Sequence, residues 1–301
     1  MRSLSFSLAI SLSLIVLIPV GASGKGGLAT RVAQLEAQVE ALTAALQEAQ
    51  EILQFVRVES EPINGLVGPH WIIEGANLHV RSGSGETLDG CNPRLLPDCK
   101  FTGLGNLIVG YNESILISPA PDRTGSHNLV VGPSHAYSSI GGFVAGARNQ
   151  VLDLYASVSG GVGNVASGRI SSVSGGSDNE ASGILSSVGG GMQNEASGSD
   201  SSVSGGTQNK ARALGSSVSG GFGNVASSTY SSVSGGEENV ARGPGSSVSG
   251  GIQNEASALG TSVNGGFGNV ASGLLSAVSG GENRTAPDDS SWAAGSLLEL
   301  N

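Results

Sequence analysis

Two cysteines and a scatter of histidines, aspartates and serines are where chemistry would have to reside in this chain. Cys91 and Cys99 close the segment CNPRLLPDC, seven residues between them and a proline near each end. In an exported chain two near-neighbour cysteines form one structural disulfide. A metal site needs more ligands than this, and a redox pair has the tighter C-x-x-C spacing. His127 and His135 flank one apolar segment and could approach across a coil, but no third ligand accompanies them, so they read as structural or exposed. Asp288 and Asp289 fall in a turn after Pro287. GGVGNV and GGFGNV come nearest to the calcium repeat G-G-x-G-x-D, but they put valine where the aspartate ligand belongs. G-x-S-x-G, H-E-x-x-H, the P-loop and C-x-x-C do not occur. No catalytic, cofactor-binding or metal-binding residue is assigned, and the chain is read as a non-enzyme without cofactor.

Composition narrows the class further. Net charge is −10 with a pI near 4.8, and no basic patch exists to hold nucleic acid. Glycine accounts for 49 of 301 residues, aromatics for 4% and charged residues for 13%. So few charges argue against disorder, and so few aromatics argue against a thick core. A thin, regular structure meets both conditions.

Residues 1–23 read as a secretory signal peptide: Arg2 supplies the positive start, Leu8 to Val20 the apolar run, and Val20 and Ala22 the small-residue cleavage signal. No cysteine follows to take a lipid anchor, and no later segment is apolar enough to span a bilayer. Residues 24–58 follow as a coiled-coil helix. Leu28, Val32, Leu35, Val39, Leu42, Leu46, Ala49, Leu53 and Val56 recur at alternating spacings of four and three. Valine at a and leucine at d lean toward two strands, but RVAQLE at 31–36 resembles a known trimerisation motif. In it the Arg31 fork reaches Glu36 of a neighbouring helix while its stem covers Val32 and Leu35. The helix is therefore read as trimerising.

From residue 156 the chain repeats every fifteen residues in the form SSVSGGxxNxASGxx. Counting places from one to fifteen, the third holds Val158, Val173, Val188, Val203, Val218, Val233, Val248, Val263 and Val278. The ninth holds asparagine from Asn164 to Asn269, and the eleventh alanine from Ala166 to Ala286. So strict and short a period specifies a solenoid in which each unit is one coil and stacking builds the core. The fold class is all-β, a parallel solenoid of 15-residue coils. Fifteen residues suit two short strands, one turn at the Gly-Gly pair of places five and six, and another from place thirteen. Strand alternation sends the valine inward and its flanking serines outward, with the alanine, and its asparagine neighbour two places back, also inward. The variable eighth and tenth places point out. One valine per coil contributes ~1.5–3 kcal/mol of burial, against roughly 20 kcal/mol to order fifteen residues. Stacking and self-association must supply the rest. The outward serines hardly vary, so something regular must face them. Ser217, Ser219, Ser232 and Ser234 are candidates for a protomer interface or a ligand row.

Residues 59–142 form a less regular leading region with longer coils, and 143–301 the roll with its C-terminal cap. Phe143 and Trp292 are expected in the valine place. The coil before Trp292 is read as one residue short, and Trp292, Leu297, Leu298 and Leu300 as closing the open end.

The repeat SSVSGGxxNxASGxx resembles the head repeats of YadA-like trimeric autotransporter adhesins, over roughly residues 100–295. HWIIEGANLHV, GLGNLIVGYNE and RTGSHNLVVG are similar to segments of secreted bacterial proteins that carry this same repeat. The resemblance implies a left-handed parallel β-roll that associates as a homotrimer, on a bacterial surface or outside the cell. The family has coils of about 14 residues, a stalk after the head and a C-terminal membrane barrel. Here the period is 15, the coiled coil comes first, and no barrel strands are read before Asn301, so self-anchoring is not implied. The expected function is adhesin-like binding or a surface-structural role, with extracellular matrix, glycan or another cell surface as partners. Two alternatives stand beside it: a spacer or coat component, and a solenoid that binds an ordered surface, polysaccharide or ice, through its serine rows.

Overall fold

The computed structural model describes residues 25–91, 100–114 and 120–295. The expected signal peptide, Cys99 and the leucines 297, 298 and 300 lie outside these residues. The chain divides into two units, residues 1–79 and 80–301.

In the first unit helix α1 (Lys25–Leu53) is followed by β1 (Val56–Glu59), which pairs antiparallel with β2 (His70–Ile73). The helix stops short of the expected residue 58. Phe55, Val56 and Val58 belong to an alternating, β-branched and aromatic run that favours a strand, and Val56 stands opposite Ile73 instead of extending the heptad seam. The seam residues Leu28, Val32, Leu35, Val39, Leu42 and Leu46 are all exposed on the single chain, by 39–70%.

The second unit is a parallel β-solenoid. One sheet of thirteen strands runs from β3 (Leu107–Val109) and β4 (Leu129–Val131) through β6 (Phe143–Ala145), and then along places two and three of every coil to β26 (Trp292–Ala293). A second sheet of eleven strands runs from β5 (Ala136–Tyr137) along places ten and eleven to β25 (Thr285–Ala286). Strands pair in register with the same place of the next coil, Val218 with Val203 and Val233, and Ala226 with Ala211 and Ala241. A third line of single parallel bridges joins place seven of successive coils, from Ala147–Val162 to Phe267–Glu282. It runs beside the two strands per coil that the repeat pattern specified.

The core is two columns of small side chains. The third-place valines are at most 1% exposed, and so are the eleventh-place alanines. Between them lie the first-place serines and the ninth-place asparagines, also buried. Glycine at place six has a left-handed backbone, and a Cβ on Gly221 would run into the carbonyl of Gly236.

Two register expectations are corrected. Val144, not Phe143, pairs with Val158 and is wholly buried, while Phe143 stands beside Ser157 in the second place. Ala293, not Trp292, pairs with Val278, and Trp292 is 69% exposed at the second place. The interval from Val278 to Ala293 is a full coil. The shortened coils lie at the other end, where Val130, Val144 and Val158 pair at intervals of fourteen and the glycine turn is one residue shorter. In both coils the residue after the aromatic continues the valine column in register, which leaves Phe143 and Trp292 one place earlier. In these first coils the core is wider: Tyr137 and Val151 take the alanine place, and Ile140 and Leu154 are wholly buried.

Candidate interaction face

The serines flanking the valine line up along the thirteen-stranded sheet. Ser217 pairs with Ser232 in register, each partly exposed beside a valine only 1% exposed. Ser219 and Ser234 are exposed, and their N–H groups donate to Val233 and Val248 of the next coil at 3.0 Å. The N–H groups of Ser217, Ser219, Ser232 and Ser234 are all engaged in the ladder, so the face offers hydroxyls.

An asparagine ladder ties successive coils together. Each ninth-place Asn donates its amide to the fifth-place carbonyl of its own coil and to the sixth-place carbonyl of the next. For Asn224 these are Gly220 at 2.8 Å and Gly236 at 2.9 Å. Its Oδ1 accepts the N–H of Asn239 at 2.9 Å. The Gly236 carbonyl also accepts from the N–H of Phe222 at 2.9 Å, and the amide is the one short side chain that donates twice and accepts as well. The ladder ends on Arg284, whose N–H donates to Asn269.

His135 joins the other end of the ladder and is fully buried. Its Nδ1 accepts from the N–H of Asn149 at 3.2 Å, and its Nε2 donates to Val131 O at 3.0 Å. His127 accepts from the N–H of Ser82 at 3.1 Å. The two histidines thus serve separate backbone bonds. Asp289 accepts from the N–H of Leu274 at 2.9 Å. Among the described residues, no group of three or more His, Cys, Asp or Glu could hold a metal ion.

Cys91 is disulfide-bonded. Two residues before it, Asp89 is 6% exposed and was not singled out by the sequence. Its Oδ2 accepts from Thr102 N–H and from the Ser126 hydroxyl at 2.7 Å, which ties the disulfide segment to the first coils. Burial pulls its pKa up. The backbone N–H of Thr102 and the hydroxyls of Ser82, Ser126 and Thr102 pull harder the other way, and the carboxyl is held well below its usual range. An isolated Asp-Gly occurs once and carries no periodicity to mark it.

No family model and no curated protein matches this sequence. What fold and face define is a class: a mostly β chain built as a parallel solenoid with coils of about fifteen residues. Among the described residues no helix is long and apolar enough to cross a membrane.

Proposed function

We propose that this chain is a secreted or cell-surface homotrimeric protein of a bacterium, adhesin-like or structural in role, that performs no catalysis. Its coils wind as a left-handed β-roll of the YadA-like kind, and α1 is its parallel trimeric coiled coil. The observation that carries this reading is the exposed seam of α1. Six large apolar residues at spacings of four and three, all exposed on the single chain, have the chemistry of a surface for an identical helix. Arg31 and Glu36 stand where the trimerisation motif needs them.

Two features of the head support it. The serine rows give a rigid, uncharged sheet surface that repeats coil by coil, suited to lying against another extended surface. The interior asparagines are consumed by the ladder, as an architectural chain requires. The mature protein, immobilised, is to be exposed to glycan arrays and to extracellular-matrix proteins. Saturable binding to either supports the adhesin role. Failure to bind any of them, with the protein present at the cell surface, leaves the structural role.

A further inference from the structure

Charge is distributed very unevenly around the solenoid. Between residues 170 and 287, eleven of the twelve charged side chains stand at places seven to twelve. Asp200 is the exception. Ion pairs form on that charged side, Arg212 with Glu195 at 3.4 Å and Arg242 with Glu255 at 3.6 Å. The opposite side, from place fourteen through place one to place five, carries the serine rows and a ridge of exposed apolar side chains, with Arg169, Asp200 and Asp289 at its places fourteen and fifteen. Ile184 is 52% exposed, Leu214 43%, Tyr230 67%, Leu259 52% and Leu275 60%. Exposed apolar residues also occur at place seven, but there Phe222, Ile252 and Phe267 are interleaved with Glu237 and Glu282, so that row forms no uncharged strip.

The ridge is kept at a cost. Ile170, Leu185, Tyr230 and Leu275 occupy place fifteen with φ between 55° and 59°, where Gly215, Gly245 and Gly260 stand in other coils. Holding a side chain in that region is unfavourable, and these side chains recover little of the cost by burial within their own chain. The profile is also shaped. The ring of Tyr230 lies over Gly215 and the side chain of Leu275 over Gly260, where a Cβ would collide with them.

We infer that this charge-poor side, serine rows and apolar ridge together, is the surface on which a second copy of this chain docks. The inference rests on the self-association proposed above and names the face that serves it. Three features select a second copy as the occupant. A charge-poor face has little to attract a charged partner, and its serine rows meet their own copy without burying an unpaired charge. Place fifteen changes from coil to coil, Ile, Leu, Asp, Gly, Tyr, Gly, Gly and Leu, whereas a crystalline or polymeric lattice would be met by one residue type at each repeat. A copy aligned coil to coil needs only to fit itself. The size also suits: eight coils at ~4.8 Å by about 20 Å across offers roughly 800 Å², the share of one partner in a standard interface.

Thiol protection in the full mature chain tests this. Ser232→Cys and Leu214→Cys place a thiol on the charge-poor side. Val240→Cys and Val225→Cys place one at tenth positions on the charged side; Ser232, Val240 and Val225 are alike partly exposed in the single chain. Each variant is sized by light scattering, checked for an unchanged melting temperature, and reacted with a polyethylene-glycol maleimide beside the unsubstituted chain. Labelling at 214 and 232 is expected to be roughly tenfold slower than at 225 and 240. Equal rates in an oligomeric chain, or protection at 225 and 240 instead, would overturn the face while leaving self-association through the helix. A single-chain mass would overturn the self-association itself.

Discussion

Asn224 and Asn239, one coil apart, are joined directly: Oδ1 of the first accepts the backbone N–H of the second at 2.9 Å, and both are wholly buried. The same bond recurs up and down the column, so each asparagine completes the turn of its neighbour as well as its own.

Asn224→Leu should therefore cost far more than the loss of one side chain. It leaves the Gly220 carbonyl and the Asn239 N–H without partners and removes one of the two donors to the Gly236 carbonyl, roughly 2 kcal/mol or more at about 1–3 kcal/mol for each buried orphan. Thermal unfolding followed by circular dichroism measures it, and an unchanged melting temperature would mean the ladder is incidental. Asn224→Asp should behave differently with pH. Its carboxylate would face two carbonyls, so its folded pKa is raised above the usual ~3.9. The variant then has its full stability only below the unfolded pKa and loses it as pH rises through the folded one.

Val218→Asp and Glu255→Lys separate inside from outside. Val218 is 1% exposed, and an unpaired carboxylate there should cost several kcal/mol, on the order of 3 or more. Glu255 stands at an outward place and has one exposed ion-pair partner, Arg242, so its reversal should shift stability by less than ~1 kcal/mol. Matched melting curves for the two variants would refute the inward orientation of the valine column.

Much of this was legible in the repeat itself. A valine and an alanine at fixed places in nine coils, and an asparagine in eight of them, give the period and the inward places. Whatever depends on irregular coils was harder to read. Phe143 and Trp292 looked like core because they are large, but each sits one place before a smaller residue, Val144 or Ala293, that continues the column. The bridges at place seven went unseen because their residues range from Glu237 to Phe267, and backbone pairing sets no demand on side-chain type. Asp89 belongs to no repeat, and its importance comes from Ser126 and Thr102, distant in sequence.

Asp89 supplies a pH dependence of its own. Its folded pKa is depressed, so its contribution is present above the unfolded value of ~3.9 and is lost as pH falls through the folded pKa. Wild type should lose stability between neutral pH and strongly acidic pH by more than Asp89→Asn does, as read from melting temperatures across that range. Parallel loss in both would remove Asp89 from the account.

The central claim is that the chain works as an oligomer, and its mass in solution tests that most directly. Multi-angle light scattering on mature protein, residues 24–301, should return three times the mass of one chain. Deletion of 24–58 should weaken the assembly so that its mass falls on dilution. A monodisperse species of single-chain mass in the intact protein would contradict the account.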